Sequence, residues 1–72
     1  MVNVAKLRGK MAEKGYTINS LAKEIGVNKA TLYRKFAAAG DTFTIGEAGA
    51  ISKSLALTPA EAQEIFFAFA VA

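Results

Sequence analysis

Ile18-Asn19-Ser20-Leu21-Ala22-Lys23-Glu24-Ile25-Gly26-Val27-Asn28-Lys29-Ala30-Thr31-Leu32-Tyr33-Arg34-Lys35-Phe36 reads as two short helices joined by a tight turn. Ile18, Leu21, Ala22 and Ile25 recur at steps of three, one and three, which gives one apolar helical face. Thr17 is placed to cap that helix and Gly26 to end it, because glycine takes the left-handed conformation a helix stop needs. Asn28 is a good cap for the second helix, which buries Leu32 and Phe36 and runs into residues 37–39, with Gly40 after it. A connection as short as Gly26-Val27-Asn28 makes the two helices cross steeply. Ala22 is small where the second helix must approach the first, Leu21, Ile25 and Val27 fill beneath the turn, and Leu32 anchors the second helix.

Outward from this pair the spacing stays helical, and no four residues alternate as a half-buried strand would. Val4, Leu7 and Met11 mark a helix from Asn3 to Lys14, with Gly15 as its stop. Thr44 and Glu47 have capping-box spacing, and Phe43 just before them is placed to pack on Ala48. Ile45, Ala48, Ile51 and Leu55 form the expected buried stripe of that helix. Thr58 and Glu61 repeat the capping box, and Pro59 falls at the first helical position, where its missing N–H costs nothing. The last helix is expected to bury Ala62, Ile65, Phe66 and Phe69. The fold expected is therefore all-α, a compact five-helix bundle in a single domain over residues 1–72.

A 72-residue chain buries only roughly 60% of the surface its unfolded form exposes. Neither cysteine nor histidine is present, which removes disulfides, thiol chemistry and the usual zinc sites, so no metal and no cofactor is expected. Lack of cysteine fits a reducing cytosol. No signal peptide is visible, and the longest apolar run, residues 65–72, falls far short of the roughly 20 residues a membrane helix takes. Enzyme readings fail for want of a phosphate loop or well-placed acid pairs; Glu61 and Glu64 read as helix first-turn charges. The charge is lopsided. Residues 1–40 carry Lys6, Arg8, Lys10, Lys14, Lys23, Lys29, Arg34 and Lys35 against Glu13 and Glu24, whereas beyond them only Lys53 opposes Asp41, Glu47, Glu61 and Glu64. This predicts one face for an anionic partner and another for packing. Lys6, Arg8, Lys10 and Lys14 are spread around the first helix and read mostly as solubilising charges.

Residues 18–36 resemble the Cro and lambda-repressor helix-turn-helix family, through Ala22, Gly26 and Leu32 in particular. The likeness continues through Phe43-Thr44-Ile45, Ile51, Leu55, Leu57, Thr58, Glu61 and Ile65-Phe66-Phe67, as in small phage and prophage regulators. The resemblance implies a transcriptional regulator that binds double-stranded DNA in a bacterial cytoplasm, its third helix in the major groove. Base contacts then fall to Asn28, Lys29, Ala30, Tyr33 and Arg34. Arg34 can bond guanine at two atoms, Lys29 can donate to guanine, and Ala30 can touch a thymine methyl. Phosphate contacts fall to Thr17, Asn19, Ser20, Lys23, Thr31, Lys35 and Thr42. Asn28 can equally act as a cap alone, and Tyr33 can pack on the first helix instead. One departure stands out. The family usually has an apolar residue where this chain has Lys35, which predicts a rotated third helix.

Phe66, Phe67 and Phe69 cannot all face one core, since neighbours on a helix point about 100° apart. With Val71 they form a candidate interface for a homodimer, matched to twofold DNA sites. Two alternatives stand beside it: all of these residues fill the core, or the tail holds a partner repressor, making the chain an anti-repressor or modulator.

Overall fold

Among the described residues every helix starts at a side chain that accepts a backbone N–H; the sequence predicts those at Thr17, Asn28, Thr44 and Thr58, but not the one at Asn3. The computed structural model describes residues 2–38 and 43–67. Among them are five helices and no strand: α1 (Val4–Lys14), α2 (Ile18–Ile25), α3 (Lys29–Ala37), α4 (Ile45–Ser54) and α5 (Pro59–Phe66). Asn3 caps α1 from outside it, accepting the Lys6 N–H at 3.1 Å, so the helix begins one residue later than its spacing suggests. Thr17 and Ser20 form a reciprocal box at α2, with a serine in the position usually held by Glu or Gln. The boxes at Thr44–Glu47 and Thr58–Glu61 both close as expected.

The helix ends are less uniform. Gly15 and Gly26 take φ of +79° and +76°, the left-handed conformation that ends α1 and α2. At the end of α4 that same conformation falls on Ala56, at φ +51°. There the Ala56 and Leu57 N–H groups return to the Lys53 and Ser52 carbonyls at 3.2 and 2.9 Å, satisfying two orphan acceptors. Helix α3 ends at Ala37; Ala39 and Gly40 lie outside the described residues.

Helix α2 packs against both α3 and α4, and α1 lies along α5. Leu7, Leu21, Leu32, Ile51, Leu55 and Ile65 are fully buried, and Met11, Ile18, Ala22, Phe36, Ala48 and Phe66 complete one core. Phe43 stands between two rings, edge-on to Phe36 at 5.7 Å and to Phe66 at 6.3 Å between centroids. Ile45 departs from expectation. It is 85% exposed, because at 100° per residue it stands about 120° around α4 from Ile51. Val4, Ile25 and Ala62 are half-buried at the core's rim, and Phe69 lies outside the described residues.

The first and last helices are joined by polar contacts. The Asn3 N–H donates to the Ile65 carbonyl at 2.7 Å, Lys6 pairs with Glu64, and Lys10 pairs with Glu61. Lys6 and Lys10 are thus bridges to α5 rather than solubilising charges. The Lys10 hydrogen bond, with the Thr58 N–H, holds the Glu61 carboxyl down to about 2, against an ordinary 4.5.

Two outcomes follow. Ala56→Gly should raise stability by about 0.5–1 kcal/mol in urea unfolding, since relief of the left-handed strain exceeds the added unfolded-state entropy; Gly26→Ala should lower it by a similar amount. Glu61 contributes stability that is present above its unfolded value of 4.5 and is lost as pH falls toward its folded value of about 2. The thermal midpoint should therefore drop across that acid window, and less steeply in Glu61→Gln, as followed by circular dichroism.

Candidate nucleic-acid interface

The surface of α3 is set by what the helix buries. With Leu32 as the reference, Phe36 lies about 40° to one side of it and Lys35 about 60° to the other. Beyond Phe36 come Lys29 at about 60° and Tyr33 at about 100°, and the opposite sector holds Ala37, Ala30 and Arg34; all five are exposed. Tyr33 is 54% exposed and is not among the side chains packed on the core. Arg34 is held along the helix by a bond from Nη2 to Thr31 Oγ1 at 3.2 Å. Asn28 Oδ1 accepts the Ala30 N–H at 2.8 Å, so it caps α3; its Nδ2 is left as a donor.

Lys35 explains the departure seen in the sequence. It lies on the buried side of α3, where the family usually has an apolar residue, while Leu32 and Phe36 are the residues of α3 buried in the core. The lysine stem runs inward, and Nζ lies 2.6 Å from both Glu47 oxygens and 6.0 Å from the Phe43 ring centroid. Burial pushes the Glu47 carboxyl up, but the hydrogen bonds from Lys35 and the Thr44 N–H outweigh it and leave the carboxyl below its ordinary value. The sequence assigned Glu47 only to the cap of α4 and Lys35 only to a phosphate contact, and no local signal joins the two.

The N-terminus of α2 lies beside α3. Thr17, Asn19 and Ser20 are exposed there. With Lys23 they line an open groove of about 190 Å³, and Asn19, Ala22, Lys23, Val27 and Lys29 line a second of about 170 Å³. A third, of about 300 Å³, runs past Thr31, Arg34, Lys35 and Ala38 on α3. Thr42 lies outside the described residues.

These pairings redistribute the sequence's charge asymmetry. Glu64, Glu61 and Glu47 neutralise Lys6, Lys10 and Lys35, and Arg8 stacks over the Phe36 ring at 5.1 Å. Of the basic residues in the first half, Arg8, Lys14, Lys23, Lys29 and Arg34 have no acidic partner among the described residues, and three of these five lie on α2 and α3. Most of the unpaired positive charge therefore sits on α2 and α3, with Tyr33 and Ala30. On α5, Phe66 is buried and Phe67 is 43% exposed; Phe69 and Val71 lie outside the described residues. No helix of the described residues is long and apolar enough to cross a membrane.

Residues 6–39 match the family described as the helix-turn-helix domain of resolvase. No curated protein and no solved structure matches the chain. The match spans α1, α2 and α3, and its type is the resolvase one; it does not single out the Cro and lambda-repressor family. Over that segment the chain is similar to a helix-turn-helix DNA-binding domain, and its fold is an all-helical one built around that unit.

Proposed function

We propose that this chain is a sequence-specific DNA-binding transcriptional regulator of the phage or prophage Cro/repressor kind, reading the major groove with α3. The observation that carries the reading is the segregation of charge: the bases left without acids on α2 and α3 share one face, next to an exposed Tyr33 and Ala30. A groove-reading helix needs this arrangement, because phosphates fix the register while side chains at base edges supply selectivity. Lys29, Ala30, Tyr33 and Arg34 are assigned to base edges, with Asn28 contributing through Nδ2. Thr17, Asn19, Ser20, Lys23 and Thr31 are assigned to phosphates, the first three at the N-terminus of α2. Thr42 is carried as a further phosphate contact on the sequence alone. The place of action is the bacterial cytoplasm, on the nucleoid.

The chain acts as a homodimer on a twofold site, joined through Phe67 together with Phe69 and Val71. A partly exposed aromatic at the end of α5 supports a surface for association. The same residue favours a second reading, in which the tail holds a partner repressor and the chain modulates it.

Salt titration of binding to duplexes selected from a randomised pool tests the proposal. Affinity should fall with salt at a slope of roughly −0.9 per neutralised phosphate. Arg34→Ala should cost about 1–3 kcal/mol and relax selectivity at one base position only. No enrichment of any sequence over random DNA would sink the DNA reading. Sedimentation should give a dimer mass on the selected duplex, and Phe67→Ser should return it to monomer; retention of a repressor through an intact Phe67, without DNA selectivity, would favour the second reading instead.

A further inference from the structure

We infer that the Lys35–Glu47 pair is a positioning device that sets the roll of α3 about its axis, and through it the aim of Tyr33 and Arg34. This rests on the DNA-binding reading above and concerns a lysine whose place in the sequence suggested a phosphate contact. Both side chains are mostly buried, at 15% and 19% exposure, and Nζ sits equally close to both carboxylate oxygens at 2.6 Å. The acceptor is itself fixed. Glu47 Oε1 also receives the Thr44 N–H at 2.9 Å, which ties the carboxylate to the first turn of α4. Phe43, which the ammonium faces, is wedged between Phe36 and Phe66.

Leu32 and Phe36 hold α3 to the core along one line, and a helix held along one line can still roll. Lys35, about 60° from Leu32 on the side away from Phe36, supplies a second line of restraint. Its geometric effect is large. A roll of about 20° moves a side-chain tip roughly 6 Å from the axis by about 2 Å, whereas a hydrogen bond tolerates about half an ångström. Arg34 and Tyr33 directly precede Lys35 in the chain, so they take up any roll at full amplitude. A methyl-bearing residue at position 35 would fill the same space without fixing this angle, because apolar contacts have no direction.

The competing role is a direct phosphate contact, with Lys35 leaving Glu47 on binding. Three variants of the whole chain separate the two: Lys35→Met, Lys35→Arg and Glu47→Gln, whose amide oxygen keeps the Thr44 cap. Each is checked for helix content by circular dichroism and then titrated against the best wild-type-selected duplex and its single-mismatch versions. A positioning pair predicts that Lys35→Met and Glu47→Gln each lose at least about fivefold in discrimination, leave the salt slope unchanged and do not add in the double variant. Lys35→Arg, which can grip a carboxylate with two bonds, restores discrimination. A salt slope reduced by about 0.9 in Lys35→Met, or tighter binding in Glu47→Gln as the lysine is freed, would overturn the proposal in favour of a phosphate contact. Unchanged discrimination in a folded Glu47→Gln would overturn it as well, even if Lys35→Met fails to fold. A wild-type chain that selects no sequence would remove the DNA reading itself, and the positioning role with it.

Discussion

The close crossing of α2 and α3 is the constraint on which the rest of this structure depends. Ala22 has no side chain beyond its β-carbon, and it is buried where α3 lies over α2. Gly26 turns the chain through a left-handed conformation that other residues enter at a cost, and Val27 then bonds back to the Ala22 carbonyl. Once those two positions are satisfied, Leu32 can reach the core, and the exposed sector of α3 is determined by default. Lys29, Ala30, Tyr33 and Arg34 on the candidate interface are exposed because Leu32 and Phe36 are not.

A core this small leaves little surplus stability, since only part of a short chain's surface can be withdrawn from water. The polar contacts therefore matter more for arrangement than their individual strengths suggest. Exposed ion pairs such as Lys6–Glu64 contribute little each. They nevertheless occur at the seam between α1 and α5, where the Asn3 N–H also meets the Ile65 carbonyl and fixes the register of the two helices. The Lys35–Glu47 pair is less exposed and does the corresponding job between α3 and α4. Acids of the second half thus neutralise bases of the first that would otherwise blur the positive face, leaving Lys23, Lys29 and Arg34 to define it.

Local chemistry was legible because it acts over three or four residues. Thr17, Asn28, Thr44 and Thr58 sit one position before a helix, and the spacing to Glu47 and Glu61 is the same in sequence and in space. Gly15 and Gly26 announced their helix ends for a similar reason. Ala56 did not, because the left-handed turn after α4 is imposed on a residue that does not favour it, so no composition signal marks it. Ile45 was misplaced by spacing alone: three residues before Ala48 is helical, yet it is about 120° from Ile51, which is the residue that faces the core.

The sequence by itself determined the five helices, the caps at Thr17, Asn28, Thr44 and Thr58, and which residues of α3 share a face with Arg34, because each of these follows from helical periodicity and the unpaired N–H groups of a helix start. Tertiary structure alone decided the pairings across the chain. Lys6 and Glu64 are 58 residues apart, and nothing short of laying α1 beside α5 brings them together. Lys35 looked like an exposed charge until α4 placed Glu47 beneath it. Burial and electrostatic partnership are properties of surfaces brought into contact, and a linear pattern carries the faces of each helix but not which faces meet.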